Sequence, residues 1–223
     1  MQWALNNAGL IVELTLSHIW LSLVPIVAGA LFSIPIGWLA YRFPTSRGAV
    51  LGAVGVLYTI PSLALFVLLP PLLGLPILSA ANVIIALVIY AVAIMVRSVS
   101  DAFSSIDPAL LRAATAVGYG PWQRFFQVEL PLAGPVLLAG LRVVAVSTVS
   151  LVTVGVLVGV HSLGYLFTDG FQRRIHEEIL VGIVATVVVA ALFDVLIVWV
   201  GRMTLPWAHQ IERSLAGSRV RNG

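Results

Sequence analysis

Long apolar runs separated by short clusters of arginine, glycine and proline dominate this 223-residue chain. A helix needs about 20 mainly apolar residues to cross a bilayer, at a rise of about 1.5 Å per residue. Five segments reach that length: residues 14–41, 48–73, 77–96, 132–160 and 179–203. The pattern therefore predicts an all-α, polytopic integral membrane protein with about five transmembrane helices. Pro25 and Pro35 fall in the first segment and Pro61 in the second. Membrane helices tolerate proline where neighbours satisfy the freed carbonyls, so kinks are expected. Pro61 is a candidate hinge on the solute pathway, with a static kink as the alternative.

One central stretch breaks the pattern. In RAATAVGYGPWQRFFQVELP, Arg112 to Pro131, apolar and polar residues mix. Just before it, Asp107-Pro108 predicts a helix start, because aspartate accepts from free first-turn amides and proline at the first helical position sacrifices no needed donor. That helix should run to about Val117 and stop at Gly118, which suits a left-handed cap. Gly120-Pro121 should open a second short helix, WQRFFQVEL, closed by Pro131. Each has about ten residues, too few to span. Two readings follow from the residues alone. The segment is either an amphipathic loop on the inner leaflet anchored by Trp122, Phe125 and Phe126, or a compact knob whose small Ala113 and Ala114 let another protein approach.

Composition supports the membrane reading: 60% of residues are hydrophobic and 9% charged, against roughly a quarter charged in soluble domains. All twelve cationic side chains are arginine. With the N-terminus outside, nine arginines (42, 47, 97, 112, 124, 202, 213, 219 and 221) fall on the inner side and two, Arg173 and Arg174, on the outer. Cytoplasmic loops retain positive charge, so the expected topology is N-terminus out and C-terminus in. The first residues lack the basic region of a cleavable signal peptide. Residues 1–205 form the expected membrane domain, and 206–223 a polar, disordered cytoplasmic tail.

Charge and residue type also exclude functions. The basic residues are scattered, unlike the clustered face of a nucleic-acid binder. Without cysteine there are no thiol nucleophiles or thiolate metal sites. His176-Glu177-Glu178 lacks the second histidine of an HExxH metal site, and His161-Ser162 lacks an orienting acid. Without lysine the chain cannot build a P-loop. No catalytic residue, metal or cofactor is expected, and any ATP must be hydrolysed by another subunit.

Within the spans, Arg142 and Asp194 are the deepest charges, each about 15 Å from the inner end of its segment by residue count. Intramembrane charges are costly unless paired or wetted. Either the two pair or share a polar cavity, or Arg142 reaches lipid phosphate while Asp194 bonds to a hydroxyl. Ser147, Thr148, Ser150 and Thr153 either line a solute path or hold helices together. Gly155 and Gly159 fit close helix packing better than gating. The stretch from His161 to Glu178 is expected to hold a short helix lying on the outer surface.

The knob carries a resemblance. Ala113-Ala114, three residues, Gly118, nine residues, then Val128, Glu129, Leu130 and Pro131 resemble the EAA motif of binding-protein-dependent ABC importer permeases. That motif reads E-A-A, three residues, G, nine residues, I, one residue, L-P. TIPSLALFVLLPPLLG (Thr59–Gly74), the stretch Ser105–Arg142 and the outer LGYL resemble the glycine betaine, carnitine and choline subfamily, so the likeness covers roughly residues 14–205. It implies that residues 107–131 form a cytoplasmic coupling segment docking on ABC ATPase subunits through Arg112, Ala113, Ala114, Gly118, Val128, Leu130 and Pro131. It further implies a second permease subunit, an external solute-binding protein that selects the solute, and residence in a bacterial cell membrane. Methionine or another small solute, or a scaffold without transport, are the alternatives. The motif's glutamate is Arg112 here; either the position is tolerant, or the ATPase carries a compensating acid.

Overall fold

The structure, a computed structural model, describes residues 2–76 and 78–207. Among these residues every regular element is helical: α1 (Gln2–Asn6), α2 (Ala8–Arg42), α3 (Pro44–Thr59), α4 (Ser62–Leu73), α5 (Ala80–Ser104), α6 (Pro108–Ala116), α7 (Pro121–Arg124), α8 (Leu130–Val154), α9 (Gly164–Arg173) and α10 (His176–Thr204). A π turn at Phe125–Glu129 joins α7 to α8, and a 3-10 turn at Gly155–Val158 follows α8. The tail from residue 208 onward lies outside the described residues.

Four helical runs are long and apolar enough to cross a membrane: α2, α5, Pro121–Val158 and α10. The second expected span, 48–73, is not one helix. It divides into α3 and α4, bent by 103° at Ile60-Pro61, and supplies a fifth crossing only if the bent pair is counted together. Proline removes a donor and drives the residue before it out of helical geometry. Ile60 is accordingly extended, at φ −65° and ψ 127°, and its carbonyl accepts from the Tyr90 hydroxyl on α5.

The fourth span differs at both ends. Pro131 does not close the short helix that precedes it; the chain continues through the π turn, where the Leu130 amide donates to the Phe125 carbonyl five residues back. Widening the ladder by one residue accommodates a proline that would otherwise collide with the preceding turn. At the far end α8 stops at Val154, and Gly159 is left-handed at φ 77°. Gly155 and Gly159 therefore belong to a terminating turn, not to one continuous helical face.

α5 lies at the centre, with Val83, Leu87, Val96 and Phe103 fully buried. Small residues let α2 press against it. A Cβ on Gly29 would stand 2.4 Å from the Ala91 Cβ, and one on Gly37 2.5 Å from the Val99 Cβ. Neither site leaves room for a side chain, as is common where membrane helices meet closely. The Asn82 amide of α5 donates to the Phe66 carbonyl at 2.7 Å, fastening α4.

At the end opposite α6, buried His18 of α2 links three segments. The Leu163 amide donates to its Nδ1 at 3.3 Å, so Nε2 carries the proton and donates to the Val149 carbonyl at 3.0 Å. α9 forms within the stretch 161–178, but it does not merely lie on the surface. Leu163 and Leu166 are fully buried, and a Cβ on Gly164 would meet the Thr153 carbonyl oxygen at 2.0 Å.

Candidate functional site

The knob is built by its caps. Asp107 accepts from the Ala109 amide at 2.7 Å and starts α6. At the other end Gly118 takes φ 95°; its amide donates to the Thr115 carbonyl and the Tyr119 amide to that of Ala114, at 3.0 and 3.1 Å. This paired closure stops a helix sharply and favours glycine. Pro121 opens the next turn at once.

A polar network then locks the knob to the helices. Glu129, 3% exposed, accepts from Arg124 Nε at 2.7 Å and from the Trp38 indole of α2 at 3.2 Å. Arg124 also donates to the Thr115 hydroxyl at 3.1 Å. The carboxylate thus joins α7 to α2, and Arg124 extends the link to α6. Beneath it the Phe125 ring stacks on Phe103 at 5.8 Å and meets Trp38 edge-on at 5.3 Å. Trp122 and Phe126 stack on each other and stay exposed.

The motif positions divide between surface and interior. Arg112, Ala113 and Gly118 are exposed, whereas Ala114 is buried and Val128, Leu130 and Pro131 are partly buried. The two alanines therefore do not both offer a surface: Ala113 faces outward, and Ala114 belongs to the knob's own packing. Leu130 packs with Phe125 against the cluster of Phe103, Ile106 and Ala133.

Two further sites lie along α8. Arg142 donates through Nε and Nη2 to the two carboxylate oxygens of Asp194 on α10, at 2.6 and 2.9 Å. The pair is half-exposed at the side of the subunit. Separately, the break at Pro61 opens a cavity of about 510 Å³ between α3, α4, α5 and α8, onto which Tyr58, Ser62, Tyr90, Ser147 and Ser150 face. Thr148 does not join them. It is 2% exposed, because one step along a helix turns a side chain by about 100° and carries it into the interior.

Comparison with known proteins places this architecture. Residues 19–208 match the family described as binding-protein-dependent transport system inner membrane component. The chain belongs to this family. Among its relatives are an osmoprotectant import permease of Salmonella typhimurium, 31% identical over 87% of this chain and 91% of the relative. A glycine betaine/carnitine/choline transport system permease of Bacillus subtilis is 29% identical over 92% and 94%. A chain of the MetNI methionine ABC transporter superposes with a TM-score of 0.80 at 22% identity, covering 89% of this chain and 98% of that one. Both relatives are named as permeases.

The network around Glu129 is the feature of the knob that the motif does not reveal. The motif leaves position 129 unspecified, and Trp38 lies 91 residues away. A single carboxylate in the apolar run FFQVELPLAG was the available signal, since such a charge is rarely buried without a partner.

Proposed function

We propose that this chain is the permease subunit of an ATP-driven importer of quaternary-ammonium osmoprotectants such as glycine betaine, carnitine or choline. The observation that carries the reading is the knob of residues 107–131: sharply capped, exposed at Arg112, Ala113, Trp122 and Phe126, and anchored through Glu129 to α2. A rigid surface tied to a membrane helix is what an external motor needs to move that helix. The substrate class is supported by the names of the relatives. In this reading the knob faces the cytoplasm and docks on ABC ATPase subunits. The N-terminus lies outside a bacterial cell membrane, a second permease subunit completes the path, and an external binding protein delivers the solute. The described arginines at the knob end, 42, 47, 112, 124 and 202, support that orientation.

Purification followed by reconstitution tests it. The chain should bring down an ATPase, in a complex weakened by Gly118→Asp, and vesicles holding the complex and its binding protein should take up labelled glycine betaine, carnitine or choline when ATP is supplied. Uptake of methionine in their place would transfer the chain to the competing solute class. Absence of any ATPase partner would favour a scaffold.

A further inference from the structure

The cavity at the α3–α4 break is walled entirely by uncharged side chains. On one wall Tyr58 and Tyr90 pack edge to face, ring centroids 6.2 Å apart at 80°. The Tyr90 hydroxyl is already donated to the Ile60 carbonyl and the residue is 4% exposed, so Tyr90 backs the Tyr58 ring rather than offering the cavity a proton. Tyr58 is 53% exposed, leaving much of its ring free. The carbonyl end of α3, the negative end of that helix's dipole, lies at the same place. Ser62, Ser147 and Ser150 add hydroxyls. The volume of about 510 Å³ falls within the range of roughly 300–1,000 Å³ usual for small-molecule sites.

We propose that this cavity is a transient station for the trimethylammonium group of the transported solute, held against the exposed ring of Tyr58, which Tyr90 backs. The proposal rests on the osmoprotectant reading above. A trimethylammonium group has no N–H and cannot be held by hydrogen bonds, so a carboxylate or an aromatic face must attract it. A carboxylate would grip a permanent cation hard within the membrane, whereas a ring attracts it within about 6 Å of the centroid and releases it readily. Choline, carnitine and glycine betaine share this group and differ at the other end, which is a hydroxyl in choline and a carboxylate in the other two. Serine hydroxyls can donate to either. Arg142 lies eight residues from Ser150 along α8, about 12 Å away by helical rise, too far to touch the same end of so small a solute.

The test uses the complete complex of permease, ATPase and binding protein in vesicles, with ATP-driven choline uptake as the readout. Tyr58→Leu should lower saturating uptake about tenfold, while Tyr58→Phe, which keeps the ring, should stay within about twofold of wild type. Equal uptake by the leucine variant and wild type would overturn the station and leave the osmoprotectant reading standing, as would a phenylalanine variant as poor as leucine. Import of methionine but of no quaternary-ammonium solute by the wild type would overturn both. A second measurement needs no variant. In calorimetric titration of the wild-type permease–ATPase complex without its binding protein, choline should bind about tenfold more tightly than its neutral carbon isostere 3,3-dimethylbutan-1-ol. Equal binding would also remove the station.

Discussion

Pro61 and Pro131 each deprive a long helix of a backbone donor, yet the chain turns through 103° at the first and continues as one helical run through the second. The difference lies in where the replacement bond comes from. At Pro131 it is local: the ladder widens by one residue, and Arg124 and Glu129 clasp each other across the π turn. At Pro61 the Leu57 carbonyl, four residues back, accepts from the Ile60 amide at 3.3 Å, while the Ile60 carbonyl that the bend turns out of the ladder is taken from another helix, by the Tyr90 hydroxyl. A locally repaired proline leaves a rod that can carry a push, whereas one repaired from outside leaves an elbow held by its neighbour. The knob sits on the rod and the cavity at the elbow.

The sharpest way to break this contrast is to remove the clasp. Glu129→Ala strips Arg124 and Trp38 of their common acceptor and should cost about 2–3 kcal/mol, read as a lowered midpoint of thermal unfolding in detergent. In the assembled complex it should also leave ATP hydrolysis running while uptake falls. An unchanged midpoint would mean that the knob is not anchored through this residue. Next in size, Tyr90→Phe removes the hydroxyl that caps the elbow, and should cost about 1–2 kcal/mol.

Pro61→Ala should change stability by less than about 1 kcal/mol, because it restores a donor without filling space. Its effect should appear in geometry instead. With no native cysteine to interfere, spin labels at positions 53 and 72 should report a longer and broader distance distribution than in the parent. A distribution identical to the parent's would show that packing alone sets the bend. Pro131→Ala should be the mildest change, letting the π turn relax toward an α-helical ladder, with slower amide exchange at Leu132 as the visible trace.

How much of this was legible in the sequence depends on the range of the forces involved. The apolar lengths, the Asp107 start and the Gly118 stop come from neighbouring residues, and simple counting finds them. Counting also put Arg142 and Asp194 at matching depth, though not their two-bond geometry. The bend at Pro61 was less accessible, since a hydrophobic run looks the same straight or folded. The partners of Ile60 and Glu129 lie 30 and 91 residues away, and one sequence carries no record of such pairings. Ala113 and Ala114 appear alike in the motif, and only the packing of α6 separates the exposed one from the buried one.

Where α2 meets α5 at Gly29 and Gly37, backbone rests almost directly on side-chain carbon, with no flexible group between to take up strain. In engineering terms this is a keyed joint rather than a cushioned one. The two helices can slide or tilt together, but one cannot sink into the other. Trp38, held by Glu129, lies one residue beyond the lower key, and Tyr90 lies one residue before Ala91, the upper one. A tug delivered to the knob therefore has little slack to take up before it arrives at the wall of the cavity.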